Sequence, residues 1–365
     1  MSGATASGRP APEKRGGWRR RVAWLACGAV LLSGGFFWAS GGWDAWRHDR
    51  ALDSACDGTL AAGPVRALTG GAEVTADIRR DRRDSWWQCR VAGVRDEDGR
   101  IDLRVTVWPG EERYAGIEAA RTDAPLGHGW TGGFAFDPDR SGGDPGDAFA
   151  TLLLDCRDKG RGWVSAEVRA RTDRLDFGRP EARERLVAVL TGTATAYARR
   201  TGCEAAEGGP VTGVGVSATA WDHEPFATVS GSCAGILDPA TAARWGVRTA
   251  VETARGPKAA EGCLFGGVRG APLYEFTAFY GAALKSARYW LDPLGNTPGD
   301  SPDGYYALWA SCPAGTAAYA VGAADHAGGL ALDHPGLRAA LARFAAASAK
   351  EHGCAAPRTE RPTAG

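Results

Sequence analysis

Two acidic turns recur in this 365-residue chain, Gly143-Asp144-Pro145-Gly146-Asp147 and Gly299-Asp300-Ser301-Pro302-Asp303, standing at equal distances before Cys156 and Cys312. Paired carboxylates are the working groups of glycoside hydrolysis, one as acid and one as base or nucleophile. In a Gly/Pro-rich turn, aspartate also has a plainer role, hydrogen-bonding the local backbone. Asp144, Asp147, Asp300 and Asp303 are therefore ligand-loop candidates, along with His128 in the loop Gly127-His128-Gly129-Trp130. The second half of the chain carries Asn296 where the first has His128.

Other chemistry finds little footing. The six histidines show no i, i+4 pair and no HExxH, which disfavours a zinc hydrolase. Gly215-Val216-Ser217-Ala218-Thr219 lacks the second glycine of a nucleophile elbow, and Ser230-Gly231-Ser232-Cys233 reads as a turn before a bridged cysteine. Asp137–Asp144 resembles a calcium loop, but Ala148 stands where the closing carboxylate belongs and Arg140 sits in its middle. Trp86, Trp87, Trp108 and Trp130, with Tyr305, Tyr306 and Trp309, read as core and sheet residues before a ligand groove. The run Arg79–Asp84 reads as a solvated hairpin tip. No catalytic residue, metal ligand or cofactor site is assigned.

The elements that must carry these residues begin with an export signal. Residues 1–21 form a polar tail ending in Arg19-Arg20-Arg21, and residues 22–43 are free of charge. About 20 apolar residues span the hydrocarbon core, and arginines preceding them place the N-terminus in the cytoplasm. The reading is a single-pass plasma-membrane protein with residues 44–365 outside the cytoplasm. The alternative is a secreted protein, cleaved after Gly41 behind Ala39-Ser40. Eight cysteines outside the membrane segment, an even number, agree with an oxidising compartment, and none forms C-x-x-C. Lys+Arg and Asp+Glu balance at 43 each, so no net basic charge invites nucleic acid.

The exported part repeats itself. Cys56-Asp57-Gly58-Thr59-Leu60 parallels Cys233-Ala234-Gly235-Ile236-Leu237, each read as opening a short helix. Cys89 and Cys263 precede strand-like runs, Cys156 and Cys312 end such runs, and Gly202-Cys203 and Gly353-Cys354 end long helical patterns. The expected fold is α+β: two similar domains, 50–205 and 231–355, each an antiparallel sheet of about five strands with an opening short helix and a long closing one. Residues 206–230 are a linker or a last edge strand of the first copy, and 356–365 a disordered tail. Eight cysteines permit 105 connectivities. The simplest that serves two equivalent copies is sequential, Cys56–Cys89, Cys156–Cys203, Cys233–Cys263 and Cys312–Cys354.

On Cys56 with Leu60, Cys89, Pro125-Leu126-Gly127, Cys156, Gly202-Cys203 and their second-copy counterparts, the chain resembles exported, membrane-anchored actinobacterial proteins of unknown function with a duplicated four-cysteine domain. The resemblance implies an envelope location and a disulfide scaffold, and it brings no catalytic residue. The expectation is a non-enzymatic ectodomain that binds a small ligand or an envelope protein. The rivals are an envelope hydrolase acting on glycan or peptide and a structural spacer.

Overall fold

A computed structural model describes residues 42–81, 86–93, 101–109, 123–136, 147–156, 163–173, 175–216, 223–281, 283–284, 287, 291, 304–313, 315–324 and 332–361. All but the last two residues of the predicted membrane segment 22–43 lie outside these, as do Asp144, Asp300, Asp303, Ser217 and the calcium-like loop. Among the described residues no helix is long and apolar enough to cross a membrane. The chain divides into two compact units, Met1–Ala51 and Leu52–Gly365. The first described element is helix α1 (Gly42–Asp53).

The first lobe is a seven-stranded antiparallel sheet in the order β1-β2-β3-β7-β6-β5-β4. Its strands are β1 (Val74–Asp81), β2 (Trp86–Gly93), β3 (Ile101–Pro109), β4 (Ala124–Pro125), β5 (Thr131–Phe136), β6 (Asp147–Asp155) and β7 (Trp163–Thr172). Helices α2 (Ala62–Thr69) and α3 (Pro180–Arg200) bury Leu68, Leu186, Val189 and Leu190 in the same core as Val105, Leu152 and Val168. The second lobe has β8 (Glu224–Pro225), helix α4 (Pro239–Arg244), β9 (Thr249–Glu252), β10 (Ala260–Gly266), β11 (Pro272–Tyr280), β12 (Tyr306–Cys312), β13 (Gly315–Ala323) and helix α5 (His334–Glu351). Its six strands run β12-β13-β11-β10-β9-β8. The shared core is thus β1-β2-β3-β7-β6 in one lobe and β9-β10-β11-β13-β12 in the other. The sheets exceed five strands because β5 and β4 extend the first beyond β6, whereas β8 extends the second beyond β9.

Four disulfides join Cys56–Cys89, Cys156–Cys203, Cys233–Cys263 and Cys312–Cys354, the sequential pairing. Each ties a loop of 30 to 47 residues, worth roughly 3–4 kcal/mol in the chain-entropy picture. The cysteine that follows each closing helix is presented by the same device. Gly202 (φ 79°) and Gly353 (φ 63°) take the left-handed conformation. Cys203 N–H then bonds Ala198 O at 2.8 Å and Cys354 N–H bonds Ala349 O at 2.9 Å, the long bond of a Schellman cap.

Several expectations need correction. The first cysteine of each lobe sits in a turn and does not open a regular helix. Cys56 and Asp57 have φ of 53° and 62°, and regular helix begins only at Ala62 and, in the second lobe, at Pro239. Among the described residues, the segment after Cys203 supplies no edge strand to the first sheet. Residues 204–216 are extended along that lobe, burying Val214, while Glu224–Pro225 pairs with β9 of the second sheet. The C-terminal tail is held through Arg358, whose backbone exchanges hydrogen bonds with Trp309 on the edge strand β12. An edge strand offers unpaired backbone groups, and the tail satisfies some of them.

The lobes share a seam. Leu153 and Trp163 of the first cluster with Ala259, Ala260, Phe279, Leu284, Trp309 and Ala318 of the second. Leu153 alternates with the core residues Leu152 and Leu154, and Ala318 with Tyr319, so each sheet contributes the face turned away from its closing helix. Continuous apolar runs such as Leu152-Leu153-Leu154 follow from burial on both faces.

Candidate functional site

The predicted site residues that are described stay apart. His128 lies before β5 with φ 54°, its Nε2 2.8 Å from Thr212 O and 3.1 Å from Thr212 Oγ1. With Trp130 Nε1, which donates to Gly209 O at 2.8 Å, it fastens the extended segment to the first lobe. Asp147 opens β6 and faces Arg171 at 3.5 Å. The six residues of β5 separate the two loops, a span of about 20 Å. Ser232 is committed too: its hydroxyl donates to Gly262 O at 2.6 Å and accepts from Thr253 N–H at 3.2 Å. Trp87, Trp130, Tyr306 and Trp309 are buried, as core residues.

A buried polar cluster lies instead in the second lobe. Glu261 on β10 is buried, accepting from Ser348 Oγ at 2.5 Å and standing 2.8 Å from His352 Nε2. The Tyr280 hydroxyl bonds Ser348, and its ring stacks on His352 with centroids 3.6 Å apart. Measured from the paired cysteines, Glu261 and Ser348 occupy the places that Trp87 and Tyr197 hold in the first lobe, where two rings pack at 5.4 Å. Burial alone would raise Glu261. His352, Lys258 and Ser348 together outweigh it and hold the carboxyl below its usual range. The order is not that of a hydrolytic triad. There the histidine stands between nucleophile and acid, whereas here the glutamate stands between serine and histidine, so the imidazole of His352 bonds Glu261 and not Ser348.

Lys258 carries the network to the seam. It is buried, and its ammonium donates to Thr253 Oγ1 and to the main-chain oxygen of Asp123 in the first lobe, at 3.2 Å. Burial depresses its pKa against the opposing pull of Glu261 and Asp123. The Asp123 side chain is fully buried with both carboxyl oxygens unpartnered. Burial, with Glu167 adding to it, pushes that carboxyl well above its usual range despite Lys258. Between Ser232, Thr253, Arg255, Glu261, Ser348 and Glu351 there is room for about one water molecule. That volume suits a structural polar core and excludes an organic substrate.

A larger recess opens in the first lobe, with a cavity volume of about 130 Å³. Its walls are Leu68 and Thr69 at the end of α2, Ile101 and Leu103 on β3, Thr172 on β7 and Leu175 in the connection to α3. Gly70 (φ 64°) turns the chain out of α2 without a side chain to fill the space. Arg185, exposed on α3, stands at the mouth, and among the described residues its guanidinium has no ion-pair partner. Apolar walls with one cation at the rim suit an apolar body bearing a negative group. No group of three or more metal-ligating side chains occurs among the described residues.

Sequence reasoning missed all of these residues except as scaffold. A signal existed for Glu261, an ionisable residue two positions before a bridged cysteine in the otherwise apolar run Ala260–Gly266, opposite a Ser-x-x-x-His pair. The recess had none, since it lies where distant segments meet. No family model, curated protein or solved structure matches the chain.

Proposed function

We propose that the chain is a membrane-anchored, extracytoplasmic binding protein whose first lobe takes up a small apolar acid, with the second lobe as its buttress. The observation that carries the reading is the recess between α2, β3, β7 and α3 with Arg185 at its mouth. Four disulfides accord with an oxidising, extracytoplasmic setting, and the charge-free stretch 22–43 behind three arginines supports the anchor. An aliphatic cavity of about 150 Å³ admits benzene, so the space matches one ring or a short acyl chain. The carboxylate then meets Arg185.

Benzoate and hexanoate are the probes. With about nine non-hydrogen atoms at roughly 0.5 kcal/mol each, the expected Kd is on the order of 0.1–1 mM. Arg185→Glu should weaken binding at least roughly tenfold by setting like charges together. Leu175→Trp, which fills the recess, should abolish it. Equal binding by the wild type and both variants would refute the reading.

A further inference from the structure

Strand β1 is the open edge of the first sheet. Among the described residues its only strand partner is β2, with Cys56 Sγ 3.5 Å from Asp77 O on the helix-facing side, whereas the matching edge in the second lobe, β9, is covered by Glu224–Pro225. Edge strands left open are templates for further pairing. On the helix-facing side of β1, Ile78 stands directly opposite Cys89 and is 37% exposed, an apolar side chain at the margin of the core. On the other side Asp77 and Arg79 are exposed neighbours 3.7 Å apart.

We infer that β1 pairs antiparallel with β1 of a second copy of this chain about a twofold axis through Ile78. That register sets Ile78 against Ile78, so each chain covers the other's exposed side chain. It also sets Asp77 against Arg79 of the partner on both sides of the axis. The alternation Asp-Ile-Arg is complementary to its own reverse, as an isologous contact requires. Ala76 faces Arg80 across the same junction, leaving room for the Arg80 side chain, which already pairs with Asp57. Opposite charges directly across a ladder stabilise pairing and like charges oppose it. Charged residues that would normally guard an edge therefore select one partner here. The strand contact is small, so the dimer is reversible in dilute solution.

The test uses the full chain in membranes of the expressing cell. Cysteines opposite one another on neighbouring strands lie within disulfide reach, so Ile78→Cys should trap a covalent dimer that the wild type lacks. Adding Asp77→Arg, or adding Arg79→Asp, should cut the trapped fraction roughly tenfold, because each places like charges across both junctions. Co-expressing the two charge variants should restore it, since their charges complement one another. That recovery also shows that both variants fold. No trapped dimer with Ile78→Cys, equal trapping in the single charge variants, or no recovery on co-expression would each overturn the inference.

Discussion

Removing the Lys258 ammonium tests the buried polar core where it joins the lobes. In Lys258→Met the side chain keeps its length and apolar stem, but the charge and two donated hydrogen bonds disappear. The Asp123 carbonyl and Thr253 hydroxyl then lose a buried donor, and each such loss costs about 1–3 kcal/mol. Glu261 loses a cation that helps keep it ionised, although His352 and Ser348 remain. Breaking a buried pair from one side typically costs about 3–5 kcal/mol, and the same range is expected here. At about 2–4 °C per kcal/mol for a protein of this size, the melting midpoint falls on the order of 10 °C with disulfides intact. A double-mutant cycle with Glu261→Gln should give a coupling of about 1–3 kcal/mol, since the glutamate no longer needs the lysine once it is neutral. Additive effects, or a Lys258→Met variant as stable as the wild type, would refute the argument that this cation is held by its partners.

Further consequences follow from named contacts. Glu261 is held below its usual range, so its contribution is present above the unfolded carboxylate value and lost as pH falls through the folded one; Glu261→Gln should cost stability near neutral pH and progressively less below about pH 4, read by urea titration at several pH values. Asp123 shifts the other way, contributing stability below its unfolded value that is lost as pH rises, so Asp123→Asn should raise the neutral-pH midpoint and change nothing below about pH 3.5. A Cβ on Gly132 would lie 2.2 Å from Thr151 O on the neighbouring strand, and Gly132→Ala should destabilise by about 1–3 kcal/mol or more in thermal melts. Replacing Cys156 and Cys203 together by serine should cost about 2–4 kcal/mol, measured against the wild type under identical oxidising conditions.

The sequence made the scaffold legible because local signals and the repeat agreed. Gly202-Cys203 and Gly353-Cys354 mark helix ends by one conformational requirement, and each cysteine then has a partner in its own half. What stayed hidden depends on long-range packing. Asp123 and Lys258 lie far apart in the chain and look like surface residues until the lobes close over them. The edge role of Glu224–Pro225 is set by two residues meeting β9, too short a run to show a period. Asp147 and His128 are separate loop candidates by residue type, and the strand between them keeps them apart.

The most direct test of the binding reading is calorimetric titration of benzoate into the full chain, the wild type beside Leu175→Trp and Arg185→Glu. The wild type should show a single site of on the order of 0.1–1 mM that Leu175→Trp eliminates and Arg185→Glu weakens at least roughly tenfold. Heat that is the same in all three proteins, or absent from the wild type up to several millimolar, would contradict it.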